Sequence, residues 1–216
     1  MQLSDIRTRV RERLGLSTSD TAITDAILTQ FINTANRKIA LMHDWPWLIK
    51  TDATWTALTV GQSDYVTSTD VATDVRKTLY LIVDTDYQLV YKQPQDLARY
   101  AAYTSGHPAW YTIEGTTFRI APAPDTAYDV RHVYVAEVAT LTNDTDIPEM
   151  GATNDEWAID YLIDYTCLLV AIRLRDAELV KYAKDEWARS DAYLRDEISR
   201  TRQLPKVQHR RDIGWT

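Results

Sequence analysis

The sequence predicts an α+β protein: a helical bundle built from N- and C-terminal helices, with a small antiparallel β-rich segment inserted between them. Apolar residues recur every three or four positions over residues 1–50 and again over 150–201. Between these stretches, residues 51–149 hold short β-branched and aromatic runs bounded by Gly, Pro, Asp or Asn, with one short helix among them. A third observation sets residues 202–216 apart as an extended basic tail, because Arg202, Lys206, Arg210 and Arg211 stand there against Asp212 alone.

Leu3, Ile6, Val10 and Leu14 mark a first amphipathic helix that Gly15 can end. Ile23, Ile27, Phe31 with Ile32, Ala35, Ile39 and Met42 mark a second, about 30 Å long at 1.5 Å per residue. Pro46 stops it, and the residue before a proline is pushed out of the helical region, so Trp45 is expected to be extended. Trp45, Pro46 and Trp47 then form the joint between helix and β-rich segment.

Strands are expected at Thr51–Val60, Leu79–Val83, Gln88–Lys92, Trp110–Glu114, Thr117–Ala121 and Tyr128–Val135, arranged as one small antiparallel sheet. Asp84-Thr85-Asp86 and Glu114-Gly115-Thr116 have the composition of hairpin turns, and Pro94–Tyr103 has helical spacing with proline in the first turn. Helical periodicity returns at Asn154, a capping residue followed by Asp155 and Glu156, and Trp157, Leu162, Leu168, Leu169 and Ile172 fall on one side. After a break near Arg175–Ala177, where Asp176 can cap, Leu179, Ala183, Trp187, Leu194 and Ile198 continue to a stop at Pro205.

Charge and cysteine content narrow the function classes. Residues 1–201 carry twenty cations against thirty anions, so the body repels phosphate and is ill suited to wrapping DNA. Cys167 is the only cysteine, which rules out an intrachain disulfide and fits a reducing cytoplasm. The first residues lack a basic segment followed by an apolar one, and no apolar run approaches the roughly 20 residues of a spanning helix, so no membrane role is expected.

Catalytic motifs are also missing. There is no G-x-S-x-G elbow, phosphate-binding glycine loop or H-E-x-x-H, and His43, His107, His132 and His209 have no ligand spacing. Asp144-Thr145-Asp146 lacks the other ligands and the glycine of a calcium loop and is expected to be a turn leading to Pro148. A carboxylate pair such as Glu114 with Asp125 would suit a glycosidase, the less favoured alternative, but every such pair reads equally as a turn or an exposed face. No enzyme, cofactor or metal is expected.

Taken in order, SDIRTRVRERLGL, TDAILTQFINTANRKIALMHDWPWL, GHPAWYTIEGTTFRIAPAPDTAYDVRHVYV and a D-x-P stretch into paired helices joined at DAE cover nearly the whole chain. This order resembles the head-to-tail adaptor proteins of tailed bacteriophages. The resemblance implies a structural protein of the virion neck, assembled in the host cytoplasm, whose copies form a ring, about twelve in number, under the portal protein. It implies four kinds of neighbour: portal above, a tail, stopper or nozzle protein below, identical copies at each side, and DNA passing through the channel without sequence-specific binding. Helices near the axis would make Asp185, Glu186, Asp191, Asp196 and Glu197 candidate channel-lining residues. Lys206, Arg210, Arg211 and Trp215 would dock the tail on portal or on a neighbour. The alternative is a carbohydrate- or receptor-binding tail module, for which seven Trp and thirteen Tyr would supply the surface.

Overall fold

The computed structural model describes residues 1–100, 105–152 and 156–203. The chain divides into two compact units, one made of Met1–His43 together with the segment from Ala139 onward, the other of Asp44–Val138. It combines helices with mainly antiparallel sheets, the α+β class its periodicities predict.

In the first unit, α1 spans Leu3–Leu14 and α2 spans Asp25–Met42. Asp5 Oδ2 accepts the Gln2 N–H at 3.1 Å to start α1, and Gly15, at φ +64°, ends it in the left-handed conformation that glycine adopts without Cβ cost. Thr24 caps α2. The buried face of α2 is Leu28, Ile32, Ala35, Asn36, Ile39 and Ala40, with Ile27, Phe31 and Met42 at its flanks and Ile23 ahead of the helix. The stripe is therefore turned by about one residue from the expected one.

α4 (Glu149–Ala152) was not foreseen. α5 spans Glu156–Leu174 and α6 spans Ala177–Gln203. Asn154 and Asp155, the expected cap, lie outside the described residues. α5 is not apolar on one side only. Ala158, Tyr161, Leu162, Ile163, Val170 and Ala171 are all fully buried while Ile172 is exposed, because α1, α2, α4 and α6 all pack on this helix. Between α5 and α6 the chain turns at Arg175, φ +57°, and Asp176 Oδ1 accepts the N–H groups of Glu178 and Leu179 at 3.0 and 3.1 Å, the expected cap. Asp146 Oδ2 holds the expected turn by accepting from Thr142 N and Asn143 N at 2.7 and 2.8 Å.

The second unit has two sheets where one was expected. Sheet one joins β1 (Ile49–Thr51), β9 (Tyr128–Ala136), β4 (Val75–Val83) and β5 (Tyr87–Gln88) in that order, with β2 (Ala57–Leu58) also on β9. Sheet two has the order β3 (Asp64–Val66), β8 (Thr117–Ala121), β7 (Trp110–Glu114), β6 (Val90–Tyr91), and its β6–β7 pair is parallel. The expected strand Gln88–Lys92 is split. Leu89 N–H donates to Leu81 O in the first sheet, and Val90 and Lys92 then donate to Ala109 and Tyr111 in the second. The expected strand Thr51–Val60 is broken because the Asp52 carboxylate draws the N–H groups of Thr54 and Trp55 into a turn. α3 (Pro94–Tyr100) packs on β7. Tyr65, Leu81, Tyr111, Phe118 and Val130, from both sheets, belong with Trp55 of the Asp52 turn to one buried cluster.

Candidate functional site

Past the end of α2, His43 is extended and Trp45 sits at φ −67°, ψ 141°, as the following proline requires. Pro46 opens a single 3-10 turn, Pro46–Leu48. Trp45 is 1% exposed and its ring lies flat on Trp47, with centroids 4.7 Å apart and an interplanar angle of 7°. Just before them, Asp44 accepts from Arg76 at 3.2 Å and Lys77 at 2.5 Å. The W-P-W segment is thus held by stacking on one side chain and charge on another.

The five α6 carboxylates do not form a bare acidic row. Asp185 is exposed. Glu186 pairs with Arg189 at 2.8 Å, and Asp196 and Glu197 share Arg200 at 2.7 and 3.9 Å. Asp191 is buried, where it binds Arg195 at 2.6 Å and accepts from the Tyr161 hydroxyl at 3.5 Å. Over its whole length α6 has six acidic and six basic residues, so it is charge-balanced. Lys206, Arg210, Arg211 and Trp215 lie outside the described residues.

A buried polar clamp lies in the second unit, unannounced by any motif. Asp52 Oδ1 accepts from Thr54 N and Trp55 N, and its Oδ2 accepts from Ala72 N and from the His132 ring. A carboxylate can only accept, so His132 Nδ1 donates, and Nε2 then accepts from the Thr78 hydroxyl at 3.1 Å. Burial opposes ionisation of Asp52, but the N–H groups of Ala72, Thr54 and Trp55 and the His132 ring hold its carboxyl below the usual carboxylate range. Burial pushes His132 below its ordinary value, with Asp52 acting partly against this. Trp55 and Phe118 meet the imidazole edge-on and Tyr134 stacks on it. Hydroxyl, imidazole and carboxylate follow the sequence of an acyl-transfer triad, but the imidazole has no exposed surface to meet a substrate. What it does is tie the Asp52 turn and Ala72 to β9.

On the surface of the same unit, Tyr87 packs edge-to-face on His107 at 4.7 Å, and His107 on Tyr128 at 4.8 Å. His107 Nε2 lies 3.5 Å from Asp84 Oδ2. The Tyr128 hydroxyl donates to Asp125 at 2.5 Å, and that hydrogen bond pushes its pKa up to about 12. Glu114 pairs with Arg119, which also binds Asp64. Glu114 is engaged by Arg119 beside the Gly115 turn and Asp125 by the Tyr128 hydroxyl, so each carboxylate of that pair has its own partner. Burial pushes the Cys167 thiol up to about 12, which keeps it protonated and unreactive at neutral pH. Among the described residues no helix is long and apolar enough to cross a membrane, and no three His, Cys, Asp or Glu side chains form a metal cage.

No curated protein matches the chain. Residues 1–212 match the family model described as SU10 adaptor protein, from the start of the chain nearly to its end. The chain therefore belongs to the SU10 adaptor protein family, a family of phage head-to-tail adaptors, structural components of the virion.

Proposed function

We propose that about a dozen copies of this chain close into a ring beneath the portal protein, extend the DNA channel and offer the docking face for a tail, stopper or nozzle protein. The observation that carries this is the family match over residues 1–212. A closed ring needs two different lateral surfaces on each copy, and the second sheet has chemically distinct edges. At β3 the turn that follows satisfies the outer edge: Val66 N donates to Asp70 Oδ2, Val66 O accepts from Asp70 and Val71, and Gln62 Nε2 donates to Asp64 O. At β6 the edge instead presents Val90, 54% exposed, and Tyr91, 46% exposed. An apolar edge of this kind suits a lateral contact, and the self-satisfied edge limits strand-to-strand growth.

Asp185, Glu186, Asp196 and Glu197 stay the proposed channel set as members of a charge-balanced helix, whereas Asp191, buried against Tyr161, drops out of it. With its arginines engaged one turn away, α6 offers DNA no excess of cations, and low friction follows from that neutrality. Lys206, Arg210, Arg211 and Trp215 supply the contact that joins each copy to portal or to the next copy. Several anchors are needed because an extended segment loses conformational entropy when it binds.

The test is assembly in vitro with purified portal, followed by native mass spectrometry and electron microscopy. Rings seated on portal by the full chain, and not by a chain ending at Gln203, are the expected result. A chain that stays monomeric on portal, or binds a glycan and ignores portal, would overturn the proposal.

A further inference from the structure

We propose that the exposed row Tyr87–His107–Tyr128, with the carboxylates around it, is the socket for the basic C-terminal segment of a neighbouring copy. The inference rests on the ring reading above and names which surface receives the tail. Three segments distant in sequence meet here: residues 84–88 between and along β4 and β5, residues 105–108 before β7, and residues 122–129 between β8 and β9. The ring contacts at 4.7 and 4.8 Å and the Asp84 N–H bond to Asp129 O at 2.9 Å make the patch continuous. Much of it faces solvent: Tyr87 is 45% exposed, Asp84, Asp86, His107 and Asp125 are exposed, and Tyr128 is half-buried against the core.

The chemistry of the patch fits one kind of occupant. Those three segments hold not one Lys or Arg, and Asp84 and Asp125 touch the aromatic row, whereas Asp129 follows Tyr128 in β9 and so projects from the opposite face of the sheet. Asp84 faces His107, and Asp125 accepts from a tyrosine hydroxyl, so neither carboxylate is neutralised by a lysine or arginine in these contacts. Aromatic faces beside carboxylates are what a guanidinium uses best, since it can stack on a ring while its N–H fork binds an anion. The tail brings Arg210, Arg211 and Lys206 with a single acid, Asp212, and ends in Trp215 and Thr216. Residues 204–216 reach at most about 40–47 Å when extended, which sets how far from Gln203 a socket for them can lie. The open cleft of Trp157, Asp160, Arg189, Ser190 and Tyr193 between α5 and α6 also has aromatic walls. There Arg13 already holds Asp160, and Arg189 stands in the lining, so it offers a basic segment no charge match. Tail and socket on one chain make a head-to-tail contact, the kind that closes a ring of identical copies.

The experiment uses full-length chains assembled on portal. A photo-crosslinking phenylalanine replaces Trp215, equal amounts of ¹⁴N- and ¹⁵N-labelled protein are mixed, and crosslinked peptides are mapped. The expected products join a light tail to a heavy peptide from residues 84–88, 105–108 or 122–129, and the reverse. Their yield should fall about tenfold or more in Asp84→Lys with Asp125→Lys, the scale of losing central interface anchors, and recover when Arg210→Glu and Arg211→Glu are added. Crosslinks only within one isotope, only to the α5–α6 cleft, or only to portal would overturn the socket, and the last would leave the ring reading standing. If no ring forms on portal with the unaltered chain, the ring reading fails and the socket with it.

Discussion

Asp52 and His132 are eighty positions apart in the chain, yet Asp52 Oδ2 accepts from His132 Nδ1 at 3.2 Å with neither side chain exposed to solvent. The same carboxylate holds the turn that breaks the expected strand after Thr51. Asp52→Ala would orphan the N–H groups of Thr54, Trp55 and Ala72 together with the Nδ1–H of His132. Unfolding in denaturant should show a loss of about 3–5 kcal/mol, since several buried donors are left unsatisfied at about 1–3 kcal/mol each. Asp52→Asn should lose less, because one acceptor oxygen remains. An Asp52→Ala variant with unchanged midpoint would mean the clamp is dispensable.

The same pair sets a pH dependence. His132 is depressed by burial, so in the unfolded chain it takes up a proton at a higher pH than in the folded chain. Its contribution is fully present above the ordinary histidine value of 6.5 and is lost progressively as pH falls below it. Asp52 is also depressed, so its contribution is present above 3.8 and drains away at lower pH. Stability should therefore decline in two stages on acidification. His132→Gln should remove the upper one, and a thermal melt series from pH 8 to 3 in both proteins checks this.

Trp45 and Trp47 give a third prediction. Trp45 is buried and stacked on Trp47, so replacing both by alanine removes a large apolar area and leaves a cavity. A loss of about 3–5 kcal/mol is expected, read as a lowered melting temperature. An unchanged melting temperature would deny the pair any structural role.

The elements with strong local signals are legible in the amino-acid sequence. Gly15 ends α1, Pro46 fixes Trp45, Asp176 caps α6, and β7 and β8 run Trp110–Glu114 and Thr117–Ala121 as their alternation and the Gly115 turn indicate. What stayed hidden depends on long-range partners. Leu89 moves the chain from one sheet to the other, and nothing local in QLVYK announces it. Periodicity could not tell that α5 is surrounded, since four neighbouring helices decide that. The Asp52–His132 clamp and the Tyr87–His107–Tyr128 row join residues 80, 20 and 21 positions apart, and no spacing rule reaches that far. Asp191 read as a surface carboxylate because a heptad-like count cannot see Tyr161 on the facing helix.

Ending the chain after Gln203 gives a fourth prediction. Every described element is retained, so the melting temperature should stay within the small range of surface changes. Assembly into rings on immobilised portal should be lost, and Arg210→Glu with Arg211→Glu should weaken assembly in a salt-dependent way. Rings formed at full strength by the shortened chain would show that the basic segment is not the anchor.

The density of the virion neck tests the central claim most directly. A closed ring of identical copies on the portal axis, each sending its C-terminal segment into portal or the adjoining copy, is the predicted result. A single copy off the axis, or a neck built without this chain, would contradict it.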